Sequence, residues 1–312
     1  MSSPRIAILC GGPFAFPAIN LLSLEKYLAG IAIGSRDLQA ISLLASECER
    51  LGMPFEEVGS KSEMHLLAAW LEKVNPDYIF SICFPHKIPA EILEQKPGKF
   101  INFHTGPLPS YRGPMPIFEV LRNGEKNSAV SVHLMENEFD AGAVIYEETV
   151  PVSTGENFAS LAVKLSDRTS ITALNIAQML EFGTSIPLSV QDNSAARFYP
   201  YPTEKECTID WNSMTAERII SLVNACFPWC RGAISRFENT EIRISAVHPV
   251  PAPSSRAAEP GTIIRKTSEG LLEIACFGGK SIEAIAFGSQ DPAENLAFLE
   301  KSGLSEGKKL GS

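Results

Sequence analysis

The chain has 312 residues, 45% of them hydrophobic and 20% charged, which implies a globular protein of about two domains. A formal net charge of −9 argues against a broadly basic nucleic-acid-binding surface, because phosphate binding draws on clustered Lys and Arg. No run reaches the roughly 18 apolar residues of a membrane span and no basic-then-apolar leader opens the chain, so a cytoplasmic protein is expected.

Strands and helices alternate through the first half. Ile6–Cys10 is an apolar run closed by Gly11-Gly12, and Phe14–Leu24 follows with helical spacing. Leu28–Ile33 reads as a second strand before a helix over Leu38–Leu51, where Ile41, Leu44, Ala45 and Cys48 share one face. Phe55–Val58 and Tyr78–Cys83 read as strands on either side of an apolar stripe formed by Met64, Leu67, Ala68 and Leu71. A brief helix at Ala90–Glu94 leads into the strand Ile101–His104. This alternation predicts an α/β fold with a doubly wound, mainly parallel sheet and ligands at the carboxyl ends of its strands. Gly11-Gly12-Pro13-Phe14 fits neither the dinucleotide nor the P-loop glycine pattern, and Pro13 has no N–H to offer a phosphate. That argues against a nicotinamide dehydrogenase.

Val130–Met135 and Val144–Val150 read as strands flanking Asp140, and Phe158–Phe182 as a long helix. Leu188–Tyr201 is rich in polar residues, ends among prolines and reads as a linker. After a helix at Ala216–Ala225 come short apolar runs at Ala233–Phe237, Glu241–Val247, Gly261–Ile264, Leu271–Cys276 and Ser281–Phe287. Strands in series without intervening helices predict a small β-barrel. A long loop is expected over Pro249–Pro260, and after Gly288 a polar stretch whose last residues are frayed. The seven cysteines are scattered and odd in number, a poor disulfide framework. Cys226 and Cys230 lie four apart with no second Cys or His pair at ligand spacing, so reduced thiols are expected and no metal site.

The chemistry-bearing residues cluster in the middle of the chain. Asn102 and His104 are two apart at the end of an apolar strand and therefore share a face. Gly106-Pro107-Leu108-Pro109-Ser110-Tyr111-Arg112-Gly113 cannot continue that strand, so both side chains should open into a loop-walled cleft. Phe139-Asp140-Ala141-Gly142 adds a carboxylate. Asn102 offers a neutral donor, His104 exchanges a proton near neutral pH, and Asp140 can hold the imidazole's charge or orientation. No Ser or Cys nucleophile with a base partner accompanies them, which argues against a Ser-His-Asp hydrolase. Arg112 either orders the loop through carbonyl oxygens or reaches an anionic substrate group. His65, His133 and His248 read as structural.

The three segments, N-x-H, then P-x-x-R-G, then D-x-G, resemble the 10-formyltetrahydrofolate-dependent formyltransferases, most closely the two-domain, methionyl-tRNA formyltransferase-like members. Segments similar to Ile209-Asp210-Trp211 and Phe227-Pro228-Trp229 extend the resemblance over roughly residues 5–287. It implies a Rossmann-like catalytic domain over 1–190, a linker over 191–203, an OB-like barrel over 204–290 and a tail over 291–312. It further implies Asn102, His104 and Asp140 as the catalytic trio, and 10-formyltetrahydrofolate as the donor. That donor would lie against His86, Lys87 and Ile88, the loop Gly106, Pro107, Leu108 and Pro109, and Glu138 and Phe139.

Departures from the family pattern bear on the loop and the acceptor. Gly106 stands where the family loop usually carries Ser. Members acting on tRNA have a basic insertion after the second strand, whereas Ile33-Gly34-Ser35-Arg36-Asp37 runs almost directly into the next helix. Between residues 204 and 287, nine Lys/Arg face ten Asp/Glu, a net of −1 (9 − 10) that supplies little phosphate attraction. Members acting on nucleotide-linked amino sugars use an arginine two positions beyond Arg112, where this chain has Pro114. The acceptor therefore stays open between an aminoacyl-tRNA, an amino-sugar nucleotide and another small amine; the oligomeric state is open too. A formyltetrahydrofolate hydrolase, with water as acceptor, and a non-catalytic folate- or RNA-binding protein are the alternatives. In the expected chemistry Asn102 and His104 stabilise the oxyanion, while Asp140 tunes His104 and helps remove a proton from the attacking ammonium.

Overall fold

Five consecutive buried residues, Ile6–Cys10, form β1 near the middle of a seven-stranded sheet. A strand covered on both faces needs an unbroken apolar run, which this segment supplies. The computed structural model describes residues 3–35, 37–238, 240–250, 258–288 and 291–311. Arg36 and residues 251–257 of the expected Pro249–Pro260 loop lie outside the described residues.

After β1 come α1 (Phe16–Leu24), β2 (Leu28–Ile33), α2 (Leu38–Leu51), β3 (Phe55–Glu57), α3 (Met64–Val74), β4 (Tyr78–Ile82) and α4 (Ala90–Leu93). They are followed by β5 (Phe100–His104), α5 (Pro116–Arg122), β6 (Asn127–Leu134), β7 (Val144–Pro151) and α6 (Phe158–Glu181). The strand order is β3-β2-β1-β4-β5-β6-β7. Strands β1 to β5 pair in parallel, and β6 and β7 close the edge antiparallel. The doubly wound, mainly parallel sheet is thus present. Local signals explain the helix limits: Asp37 caps α2 by accepting from the N–H groups of Gln39 and Ala40, and Gly52 ends it at φ 63. The expected helix from Phe14 instead begins as a 3-10 turn over Pro13–Ala15. Helix α5 was not expected, because its seven residues open on Pro116 inside a Pro/Gly-rich stretch. Proline is at home in the first turn of a helix, where its missing N–H costs nothing.

The chain forms two compact units. The first takes Met1–Pro116, Asn127–Pro151 and Ala162–Pro200; the second takes Ile117–Lys126, Val152–Leu161 and Tyr201–Ser312. In the second unit α7 (Glu204–Cys207) and α8 (Ala216–Cys226) precede β8 (Ala233–Phe237), β9 (Thr240–Ile244), β10 (Ala246–Pro249), β11 (Ile263–Lys266), β12 (Leu272–Ala275) and β13 (Ser281–Ala286). Strands β8 and β9 form a hairpin, and β10-β13-β12-β11 form an antiparallel sheet. The expected single run Glu241–Val247 breaks at Ser245, whose N–H donates to the Ala286 carbonyl. Trp229 gathers this unit's aromatics, with Phe118, Phe158 and Tyr201 at ring-centroid distances of 5.4, 6.3 and 6.3 Å.

The fraying expected at the last residues of the polar stretch after Gly288 is not what the structure has. Asp291 caps a final helix, α9 (Pro292–Lys301), and Leu299, Leu304 and Leu310 are buried. Lys266 Nζ donates to the Leu304 carbonyl, and the Gly311 N–H donates to the Arg236 carbonyl. Three leucines spaced through a polar stretch carry this anchoring, and overall polarity hid them. Among the described residues no helix is long and apolar enough to cross a membrane.

Candidate active site

Strand β5 runs between β4, parallel, and β6, antiparallel, and delivers Asn102 and His104 at its carboxyl end. Asn102 pairs across the sheet with His133, and His104 with Ser131. The period of two therefore puts polar residues of both strands on one face. Asp140 approaches from the connection between β6 and β7. Its Oδ1 lies 3.5 Å from Asn102 Nδ2, 3.6 Å from His104 Nδ1 and 3.4 Å from His133 Nε2. Its Oδ2 accepts from the Gly113 N–H at 2.9 Å. The three residues singled out in the sequence converge on one carboxylate, together with a fourth, His133, which by sequence alone reads as structural.

Hydrogen-bond partners fix the protons. The Leu134 carbonyl can only accept, and it lies 2.8 Å from His133 Nδ1, so that nitrogen carries the hydrogen. His133 Nε2 then accepts from Asn102 Nδ2 at 3.0 Å. Flipping the Asn102 amide would set its oxygen against that lone pair and the carboxylate, so the amide orientation follows as well. By the same logic His104 Nε2, 2.6 Å from the Tyr111 carbonyl, holds a hydrogen, and a neutral ring keeps its lone pair on Nδ1 facing Asp140. Burial pushes the His104 pKa down, against the opposing pull of Asp140 and the Tyr111 carbonyl. Burial alone would raise Asp140. At the acid pH where the carboxyl titrates the imidazoles carry protons, and His104, His133 and the Gly113 N–H then outweigh burial and bring the carboxyl down to about 2. At neutral pH, above the ordinary imidazole value that burial pushes His104 below, the site pairs a carboxylate with a neutral imidazole.

A folded-state pKa below the ordinary 3.8 makes Asp140 a source of stability above pH 4 or so, on the order of 2 kcal/mol. That contribution fades as pH falls from about 4 towards about 2. His104 acts at a higher pH: with its folded pKa below 6.5, the unfolded chain takes up the proton more readily. Stability therefore drops as pH falls through about 6.5. Urea unfolding midpoints across this range should show both losses in the wild type, and a smaller low-pH loss in Asp140→Asn, because Glu217 and other carboxylates held below their ordinary range still titrate there. A variant whose low-pH loss equalled that of the wild type would move its origin away from Asp140.

The carboxylate is aimed by backbone geometry. Asp140 itself adopts φ 54, a left-handed conformation that aspartate tolerates better than most residues. Gln191 Nε2 holds it there, donating to the carbonyls of Asp140 and Gly142 at 2.7 and 2.8 Å. Gly113 has φ 121, and a Cβ there would lie 2.0 Å from the Tyr199 carbonyl oxygen, so only glycine brings this N–H to Asp140. Arg112 is 5% exposed and spends Nε and Nη2 on Gln191 Oε1 and Nη2 on Asn193 Oδ1. Of its two expected roles, these contacts match the ordering of the loop, though through side-chain oxygens. The segment expected as a linker thus supplies Gln191 and Asn193 to the site's support.

The expected donor-binding residues fall into two groups. Lys87 Nζ sits over the half-exposed Phe139 ring, 5.9 Å from its centroid, which joins the 86–88 segment to the 138–139 segment. Glu138 is exposed and Ile88 is buried. His86 Nε2 is buried without a hydrogen-bond partner among the described residues. The loop Gly106–Pro109 is anchored on β6, where Ser131 Oγ meets the Gly106 carbonyl at 2.8 Å and the Leu108 N–H at 3.3 Å. Pro107, Leu108 and Pro109 are half-buried. A Cβ at Gly106 would meet Pro116 Cβ at 2.7 Å and Tyr111 Cβ at 3.2 Å. Gly106→Ser is therefore expected to cost about 1–3 kcal/mol in urea unfolding; an unchanged midpoint would mean that the loop yields.

Residues 49–175 match the Formyl transferase family and residues 203–300 its C-terminal domain. The methionyl-tRNA formyltransferase of Enterococcus faecalis is 31% identical over 208 residues, 67% of this chain and 64% of that protein. The match to the Halalkalibacterium halodurans enzyme of the same name, 30% identical, covers 66% of its length, so this chain spans just under two thirds of either relative. The Akkermansia muciniphila methionyl-tRNA formyltransferase is 25% identical over 284 residues, covering 88% of this chain and 89% of that one. Among solved structures, the sugar 3N-formyl transferase WlaRD, crystallised with dTDP and 5-N-formyl-THF, superposes with a TM-score of 0.69. It shares 16% identity over 91% of this chain and 98% of its own. HypX from Aquifex aeolicus, in complex with tetrahydrofolic acid, gives 0.64 at 18% identity, covering 98% of this chain and 49% of HypX. At such identities these two likenesses concern the fold. With both family domains matched in order along one chain, this protein belongs to the formyl transferase family.

Proposed function

We propose that the protein transfers a formyl group from 10-formyltetrahydrofolate to a primary amine. The observation that supports this most is the convergence of Asn102, His104 and Asp140 at the carboxyl end of β5, within 3.6 Å of a single carboxylate oxygen. The donor supplies an activated formyl carbonyl. Its flat heteroaromatic body fits the half-exposed Phe139 ring, the half-buried Pro107–Pro109 loop and the unpartnered His86 Nε2.

Each residue then has a defined part. Asn102 keeps one Nδ2 hydrogen on His133; the other, held at only 3.5 Å from Asp140, turns to the developing oxyanion. As the amine bonds to the formyl carbon, His104 Nδ1 takes the proton released from the amine nitrogen. Its Nε2–H stays on the Tyr111 carbonyl, and Asp140 stabilises the imidazolium that results. His104 returns the proton to the departing folate nitrogen as the old carbon–nitrogen bond breaks. No covalent enzyme intermediate is required.

The acceptor divides into two readings. The overall layout is most like methionyl-tRNA formyltransferase, as the curated relatives are named. A small amine, such as a nucleotide-linked amino sugar, is favoured by the short passage from β2, ending at Ile33, to α2, starting at Leu38, and by the net −1 of residues 204–287. The test supplies 10-formyltetrahydrofolate with methionyl-tRNA, with amino-sugar nucleotides and with no acceptor, and follows tetrahydrofolate together with the mass of the acceptor. A formylated acceptor with matching tetrahydrofolate supports the reading and names the class. Equal tetrahydrofolate release without acceptor would make the protein a hydrolase, and folate binding without turnover would overturn catalysis altogether.

A further inference from the structure

Three thiols meet in the second unit, well away in sequence from the catalytic trio. Cys207 ends α7, Cys226 ends α8, and Cys230 follows one turn later. Their Sγ atoms all lie within 4.8 Å of one another. Cys207 and Cys226 are buried, while Cys230 is partly open. We infer that Cys207, Cys226 and Cys230 form a three-thiolate site for a thiophilic d10 cation, of the Zn(II), Cd(II) or Cu(I) class.

The argument is geometric and electrostatic. Thiolates bound at about 2.3 Å in tetrahedral or trigonal arrangement stand roughly 4 Å apart, within the spacing these sulfurs already have. Backbone features hold the convergence. The Cys230 N–H donates to the Cys226 carbonyl at 3.1 Å, closing the turn through Phe227-Pro228-Trp229, and Trp229 Nε1 ties that turn to the Ala225 carbonyl at 2.6 Å. In the free protein Cys230 Sγ points to the carbonyls of Cys226 and Gly232, at 3.1 and 3.4 Å. On binding, each thiol releases its proton to solvent, and the Cys226 carbonyl keeps the Cys230 N–H as a partner. Arg243 donates Nη1 to the Cys230 carbonyl at 2.8 Å, placing a guanidinium beside a centre whose three thiolates outweigh the charge of the cation. The fourth position is left to water or a small ligand, the arrangement of an open rather than a closed zinc site, and soft thiolates also suit Cu(I). Cys226-x-x-x-Cys230 alone gave no such signal, because its third member lies on another helix.

The test uses the full chain, reduced, titrated with Cd(II) and followed by sulfur-to-metal charge-transfer absorption. One equivalent is expected to saturate the signal, and Cys207→Ser, Cys226→Ser and Cys230→Ser each to weaken binding at least tenfold, with Cys83→Ser and Cys276→Ser unchanged. Arg243→Gln should weaken it about tenfold through the outer shell. Should a serine variant fail to fold, alkylation of the wild type decides. Stoichiometric Zn(II) should shield Cys207, Cys226 and Cys230 and leave the alkylation of the other four cysteines unchanged. Absence of the charge-transfer band, its survival in the three serine variants, uniform alkylation with and without Zn(II), or a disulfide among the three in the protein as isolated would overturn the assignment.

Discussion

Asp140→Asn is expected to lose at least about a hundredfold in formyl-transfer turnover while remaining folded and binding folate nearly as well as the wild type. The substitution preserves shape and reverses polarity at the centre of the site. An amide nitrogen in place of Oδ1 would face Asn102 Nδ2, another donor, at 3.5 Å, and would cap the His104 Nδ1 lone pair, 3.6 Å away. The base would then be blocked and the imidazolium would have no counter-charge. The pH profile separates this from a structural defect. Asp140 raises the His104 pKa against the effect of burial, so its removal should move the acidic limb of kcat to lower pH, not merely scale the curve down. Measuring kcat from pH 5 to 8 with the acceptor that turns over gives the answer; a uniformly scaled profile would count against a direct link between the two side chains.

Much of the fold was legible because its signals are local. Apolar runs of five or six residues, separated by helical stripes, mark β1, β2 and β4 as strands of a covered sheet. Asn102 and His104 could be put on one face from a period of two alone. What escaped belongs to pairings between distant segments. His133 taken alone reads as structural, yet polar Ser131 and His133 alternate with Val130, Val132 and Leu134 along β6, a pattern that marks a polar face. Only the register, Asn102 opposite His133, shows what that face meets. Gln191 and Asn193 sit in a stretch whose composition says linker, and nothing in their spacing points back some eighty residues to Arg112. Cys207 joins Cys226 and Cys230 through the packing of two helices, beyond the reach of any spacing rule. The final helix was hidden for the opposite reason: three buried leucines are too few to offset a polar average.

Asn102→Ala is expected to cost about 3 kcal/mol of transition-state stabilisation, on the order of a hundredfold in kcat, with KM for the folate changed far less. The expectation rests on where the amide's two hydrogens go. One is committed to His133 Nε2 at 3.0 Å, a bond that fixes the amide plane, and the other makes a long contact of 3.5 Å with Asp140 that an oxyanion can replace at little loss. An interaction weak in the ground state and strong in the transition state raises kcat rather than affinity. His133→Ala removes the orienting partner and leaves the donor in place, so it should lose less than Asn102→Ala, again in kcat. If the double variant falls no further than Asn102→Ala alone, His133 works entirely through the amide. A double variant that multiplies the two losses would instead give the second imidazole a contact of its own with the reacting group.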